Sequence, residues 1–175
     1  MKMAKVDLVT IDAVRINDVC DSYFKWKALN ASIKNYVSRT INFPETISEP
    51  MGCYALGLKW NKGSAGDARS EDGKSIEMKA TSNYDSDLTT FGPKTKFDNL
   101  IFLRLDAVND KLYIYDLEMN SEDIKDIPAN KKESVGAQQE QKRRPHISII
   151  KTIIIERRLE PTAILDIRTT KVVKI

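Results

Sequence analysis

Residues 67–81 leave the chain little conformational choice. Asp67 to Ser70 and Lys74 to Thr81 are two alternating runs separated by Glu71-Asp72-Gly73, and a three-residue loop ending in glycine matches a type I turn closed by a left-handed residue. That turn fixes the register. Ser70 faces Lys74, and counting back along both runs sets Asp67 opposite Glu77; cross-strand partners point to the same face of a sheet. Ser75, Glu77, Lys79 and Thr81 share that face, and Ile76, Met78 and Ala80 share the other. The hairpin is therefore expected to gather Asp67, Glu77 and Lys79 into one patch over an apolar support. A two-residue loop would have set Asp67 opposite Met78, on the wrong side.

Around this hairpin the pattern changes. Apolar and aromatic residues from Ile11 to Val37 recur at three- and four-residue spacings with no Gly or Pro before Pro44, which predicts two helices broken near Lys27 to Ala31. Ser48 as N-cap, with Pro50 in the first turn, predicts another helix ending near Gly57. Asn99 to Ala107 and Lys111 to Glu118 are apolar on both faces and predict central strands joined at Val108-Asn109-Asp110. Ser121 to Ile127 reads as a short helix ended by Pro128, and Asn130 to Gln141, low in apolar residues, as a mobile polar stretch. Ile147 to Ile155 fits a strand, or a helix on the spacing of Ile150, Ile154 and Arg157; Ala163 to Val173 predicts a strand. Tyr23, Phe24, Trp26, Tyr36, Tyr113 and Tyr115 sit at core spacings.

At 175 residues, 41% hydrophobic and 30% charged, the chain predicts one domain spanning residues 1–175. A helical region (1–60), a catalytic sheet core (63–128) and a basic segment (129–175) are expected, in an α/β fold with a central mixed sheet. The longest apolar stretches are split by Lys151 and fall short of a membrane span. Met1 to Lys5, followed by Asp7 and Asp12, carries no long apolar region, so a secretory leader is not expected and the cytoplasm is. Cys20 and Cys53, with His146 the only histidine, cannot build a disulfide scaffold or a four-ligand zinc module. Residues 131–175 carry 11 Lys or Arg against 5 Asp or Glu, leaving 17 against 20 before them. A polyanionic partner fits this asymmetry, and so does a solvated basic face.

Two carboxylates a few ångströms apart repel each other unless a cation lies between them, and hard oxygen donors suit Mg²⁺. Beside them Lys79 can hold or deprotonate an attacking water and offset charge on a pentavalent phosphorane. Metal-assisted phosphodiester hydrolysis is the reaction class this patch predicts. A Glu-x-Lys alone would read as a surface ion pair; Gly66-Asp67, the register, the apolar opposite face and the buried strands that follow lift it above that reading.

The string Gly66-Asp67, nine residues, then Glu77-Met78-Lys79 resembles the PD-(D/E)xK nuclease superfamily, most of all short type II restriction endonucleases of the PvuII kind. Gly66 stands where the superfamily usually has proline. The resemblance covers about residues 48 to 118, and Arg143-Arg144-Pro145 is similar to a segment in a family of short enzymes cutting the interrupted site GCNGC. It implies a restriction endonuclease-like core, Asp67 and Glu77 as Mg²⁺ ligands, Lys79 as the catalytic lysine, and Glu49 as the upstream helical acid. It also implies sequence-specific cleavage of double-stranded DNA by a homodimer whose two-fold axis matches a palindromic site, with a companion DNA methyltransferase.

Two segments have the vocabulary of DNA contact. Ser82, Asn83, Thr90, Lys94 and Lys96 lie in a loop of hydroxyls, amides and cations suited to phosphates and base edges. Gln141, Lys142, Arg143, Arg144 and His146 combine glutamines with consecutive cations, and Arg reads guanine as Gln reads adenine. An ordinary connection and a flexible basic linker are the alternatives. His146 reads as a DNA or packing contact rather than a base. Two rivals share these features: a Holliday-junction resolvase or repair endonuclease reading shape, and a DNA-binding domain whose acidic pair merely caps a strand.

Overall fold

Apolar residues on both faces of two long strands give this fold two cores with a sheet between them. A computed structural model describes residues 5–175; of the stretch Met1 to Lys5, residues 1–4 lie outside the described residues. In chain order the elements are β1 (Leu8–Thr10), α1 (Ala13–Ile33), α2 (Glu45–Leu56), β2 (Lys59–Asn61), β3 (Ala68–Arg69), β4 (Ser75–Thr81) and β5 (Thr89–Thr90). Then come β6 (Asn99–Asp106), β7 (Lys111–Asp116), a 3-10 turn (Asp123–Asp126), α3 (Val135–Glu140), β8 (His146–Ile147), a π-helix (Ile150–Ile155), β9 (Ala163–Asp166) and β10 (Val172–Lys174).

Eight strands form one mixed sheet in the order β1-β2-β3-β4-β6-β7-β9-β10, and β5 and β8 make a separate two-stranded ribbon. In the large sheet only β4 and β6 run parallel. On β6, Ile101, Leu103 and Leu105 join the core beneath α1 and α2, while Leu100 and Phe102 join the core with Phe91, Ile147 and the π-helix. Each such side chain, once fully buried, contributes about 1.5 to 3 kcal/mol. The α/β architecture, with helices flanking a central mixed sheet, is the one the sequence predicts.

Details depart from the sequence reading for physical reasons. α1 runs unbroken through Lys27 to Ala31. Ile16, Cys20, Tyr23 and Trp26 bury one face, and beyond them the Asn30 amide donates to Ile41 O at 2.9 Å and accepts from Ile41 N at 3.0 Å, which ties the last turn to the following loop. Phe24 and Tyr36, expected in the core, are exposed. α2 starts at Glu45 after Pro44, so Ser48 is buried inside it rather than capping it, and Pro50 lies in its interior. β1 and β2 are strands within the stretch expected to be helical. The polar stretch expected to be mobile forms α3, anchored by the buried Val135. Ile147 to Ile155 resolves into β8 and the π-helix, and Ala163 to Val173 is a hairpin rather than one strand. Among the described residues no helix is long and apolar enough to cross a membrane.

α2 lies unusually close to the sheet. A Cβ on Gly52 would sit 3.0 Å from Leu103 Cδ2 and 3.2 Å from Met78 Sδ. This close approach brings the helix turn bearing Glu49 down against β4.

Candidate active site

The hairpin forms in the expected register. Ser70 N donates to Lys74 O at 3.1 Å, Gly73 sits at φ +85°, and Ala68 pairs with Ile76 and Arg69 with Ser75. One step further Asp67 falls opposite Glu77. Its backbone N–H bonds Ile76 O at 3.2 Å, and its carboxylate accepts the Met78 N–H at 2.7 Å, which fixes the side chain against β4. The residue before it explains the missing proline: Gly66 has φ +81°, whereas proline is locked near −65°. Asn61, buried on β2, holds this bend by donating from Nδ2 to Gly66 O at 2.9 Å and from its backbone to Asp67 O at 2.9 Å.

On β4, Lys79 Nζ lies 2.6 Å from Glu77 Oε1, the two side chains being 27% and 13% exposed. Shielding strengthens the attraction within the pair and adds the cost of desolvating both charges. Lys79 Nζ also stands 5.8 Å from the centre of the Phe91 ring. The apolar opposite face holds for Ile76 and Met78 but not for Ala80, which is exposed, while Thr81 is buried. The end of β4 turns there: Thr81 Oγ1 donates to the carbonyls of Asn83 and Ser86 and leads the chain into the loop.

Glu49 approaches from α2. Its Oε2 accepts the Trp60 indole N–H at 2.9 Å. Burial, and then the Asp67 carboxylate, push Glu49 up to about 8; burial, and then Glu77, push Asp67 up to about 6. Three mutually repelling carboxylates with one lysine among them have the donor chemistry of a divalent-cation site. Among the described residues no group of three or more His, Cys, Asp or Glu forms a ready-made cage.

A cleft of about 710 Å³ opens beside these groups, with Glu49, Lys79, Ser82, Asn83 and Thr90 on its walls. Lys94 and Lys96 are exposed on the same loop outside it, as are Gln141, Lys142, Arg143 and Arg144 on theirs. Arg143 pairs with Glu133, which also accepts from Gln141 Nε2 at 3.2 Å. His146 is exposed and pairs with Thr90 across the β5–β8 ribbon. Sequence reasoning missed Arg39 and Asn42, which also line the cleft, and Trp60 and Asn61, which hold Glu49 and the backbone of Asp67. Arg39 and Asn42 carry no local signal; Trp60 and Asn61 sit in a strand too short to show alternation.

The family model described as Bsp6I restriction endonuclease matches residues 11–156. The chain belongs to the Bsp6I restriction endonuclease family. A curated relative, the Type II restriction enzyme Bsp6I of Bacillus sp. (strain RFL6), is 50% identical over 174 residues, covering 99% of this chain and 100% of the relative. No solved structure matches the chain. The Bsp6I family match takes in α1, the hairpin, the residues lining the cleft and Gln141 to His146, and stops before the β9–β10 hairpin.

Proposed function

We propose that this member of the Bsp6I restriction endonuclease family cuts double-stranded DNA at a specific sequence by Mg²⁺-dependent hydrolysis. It does so as a homodimer with one active site per strand, in cells whose companion methyltransferase protects the same site. The observation that carries the reading is the convergence of Asp67, Glu77 and Lys79 on one hairpin with Glu49 beside them. GCNGC is the proposed site, on the similarity of the Arg143-Arg144-Pro145 segment.

Type II restriction endonucleases generally use a divalent metal. Asp67 and Glu77 would hold it, and Glu49, kept in place by Trp60, would add a third oxygen. A bound divalent cation supplies Lewis-acid activation of water and screens the phosphate charge. Lys79 has two tasks: its ammonium offsets charge developing on the phosphate, and it orients the attacking water once drawn away from Glu77. Ser82, Asn83 and Thr90, with Arg39 and Asn42, line the cleft and would meet DNA there. Lys94, Lys96, Gln141, Lys142, Arg143, Arg144 and His146 would extend that contact along the duplex. The resolvase and repair readings lose ground to the relationship with a type II enzyme, which reads sequence.

Lys79→Ala and Asp67→Asn are each expected to abolish plasmid cleavage in Mg²⁺ while leaving Ca²⁺-supported gel shifts of a GCNGC duplex nearly unchanged. Retention of more than about a tenth of wild-type cutting by either variant would take that residue out of the reaction.

A further inference from the structure

Asp87 lies at the cleft in the connection between β4 and β6, and all its acceptor capacity is spent within the protein. Oδ1 accepts from Ser148 Oγ at 2.8 Å and Ile150 N at 3.0 Å; Oδ2 accepts from Thr89 Oγ1 at 2.7 Å and Ile149 N at 2.8 Å. Two donors on each oxygen leave it little capacity for a ligand. A carboxylate on the wall of a cleft for a polyanion works against binding, so a role for Asp87 lies in what its oxygens hold rather than in contact with the ligand. Its partners explain its place: one is on its own loop, and three, Ser148, Ile149 and Ile150, open the π-helix that follows β8.

Beyond the core that Phe91 shares with Ile147 and Ile149, the remaining hydrogen bonds between those two segments are few. β5 and β8 pair over two residues each, Phe91 N reaches Pro145 O at 3.3 Å, and Gln139 Nε2 reaches Gly92 O at 3.0 Å. Asp87 supplies the bonds that set their register at the cleft end. The wall carrying Ser82, Asn83 and Thr90 and the strand carrying His146 thereby become one rigid surface beside Lys79.

We propose that Asp87 is a positioning residue for DNA recognition, locking two segments far apart in sequence into a single reading surface. This rests on the reading that those segments touch DNA. Asp87→Asn tests it with little change of volume. One amide NH₂ must then face the backbone N–H of Ile149 or Ile150, which cannot turn away, whereas the Thr89 and Ser148 hydroxyls can rotate to accept. Thr89→Val removes one bond and leaves the other three.

The experiment measures kcat and KM of the full chain in Mg²⁺ on the duplex that the wild type cuts and on the same duplex with one base pair of the site changed. Thermal melts run alongside. Asp87→Asn is expected to raise KM roughly tenfold and to narrow discrimination by a similar factor, the size of one lost charge-assisted hydrogen bond. At saturating DNA its kcat stays within about threefold of wild type, and Thr89→Val shifts KM and discrimination the same way by less. A folded Asp87→Asn with unchanged KM and discrimination, or with kcat lost and KM unchanged, overturns the proposal. If Asp87→Asn does not melt cooperatively, Thr89→Val decides: a KM and discrimination equal to wild type overturns it too. No cleavage of any duplex by the wild type would instead overturn the underlying nuclease reading, and the proposal with it.

Discussion

Asp110, in the turn between β6 and β7, has no solvent exposure, yet it accepts from Tyr23 Oη at 2.8 Å, Lys27 Nζ at 2.6 Å and Arg168 Nε at 2.8 Å. Burial pushes its pKa up, but the hydrogen bonds from Lys27, Tyr23 and Arg168 outweigh it and hold the carboxyl below its ordinary range. Its backbone has φ +53°, which Asn tolerates as Asp does, so Asp110→Asn removes the charge without adding strain. A depressed carboxylate contributes stability above its unfolded pKa of about 3.9 and loses it as pH falls through the lower folded value. The variant is expected to lose about 2 to 4 kcal/mol at neutral pH and to show a flatter acid limb below about pH 4. Urea melts across pH check this; parallel acid limbs would mean that Asp110 contributes no such linkage. Nothing in the sequence marks this residue, because its donors come from positions 23, 27 and 168 and meet only in the folded sheet. Asp67 and Glu77 are legible for the opposite reason: the three turn residues between them set their register. Glu49 is intermediate, since its helix is legible but the Trp60 that holds it arrives on a three-residue strand.

At the next scale, elements end where backbone chemistry allows. α3 closes with Lys142 N on Gln139 O at 2.9 Å and Arg143 N on Gln138 O at 3.0 Å, and Lys142 sits at φ +58°. This is a Schellman closure with lysine where glycine is usual. Lys142→Gly is therefore expected to raise stability by about 0.5 to 1 kcal/mol while lowering the salt slope of DNA binding by about 1. Melts and gel shifts over a salt series measure both, and a fall in stability would show that the lysine is not strained. Gly52→Ala should act in the other direction. A methyl group between Leu103 and Met78 costs about 1 to 3 kcal/mol and lifts the turn carrying Glu49, so single-turnover cleavage should fall along with the melting temperature. Wild-type values for both would contradict the close-approach argument. The β9–β10 hairpin escaped sequence reading because its turn, Ile167 to Lys171, contains no Gly, Pro or Asn. It closes instead on Asp166, whose carboxylate accepts from Arg168 N at 3.0 Å and Thr169 N at 2.9 Å. The central strands needed no such signal, since apolar residues on both faces announce burial on both sides.

For the whole molecule, the proposed homodimer would bring one hairpin site to each strand of the duplex. Sedimentation in the presence of a DNA duplex and Ca²⁺ is expected to report the duplex plus two chains of 19.9 kDa, and supercoiled plasmid should go to linear product with little nicked circle accumulating. A monomer that leaves nicked circle as its main product would refute the homodimer. Lys142, Arg143 and Arg144, part of the basic surplus of the last quarter, lie just before the strand paired with the cleft loop. The parallel pairing of β4 with β6 has a further consequence. A parallel neighbour obliges the chain to travel back the full length of the seven-residue β4 before it can begin β6, a return of roughly 23 Å that about seven extended residues would cover. Residues 82–98 are more than that journey needs, and the surplus forms the cleft wall. Contour length beyond the minimum can be lengthened, shortened or rewritten without moving Asp67, Glu77 or Lys79. A lineage of such enzymes could thus change what it recognises through this detour while inheriting its cutting chemistry intact.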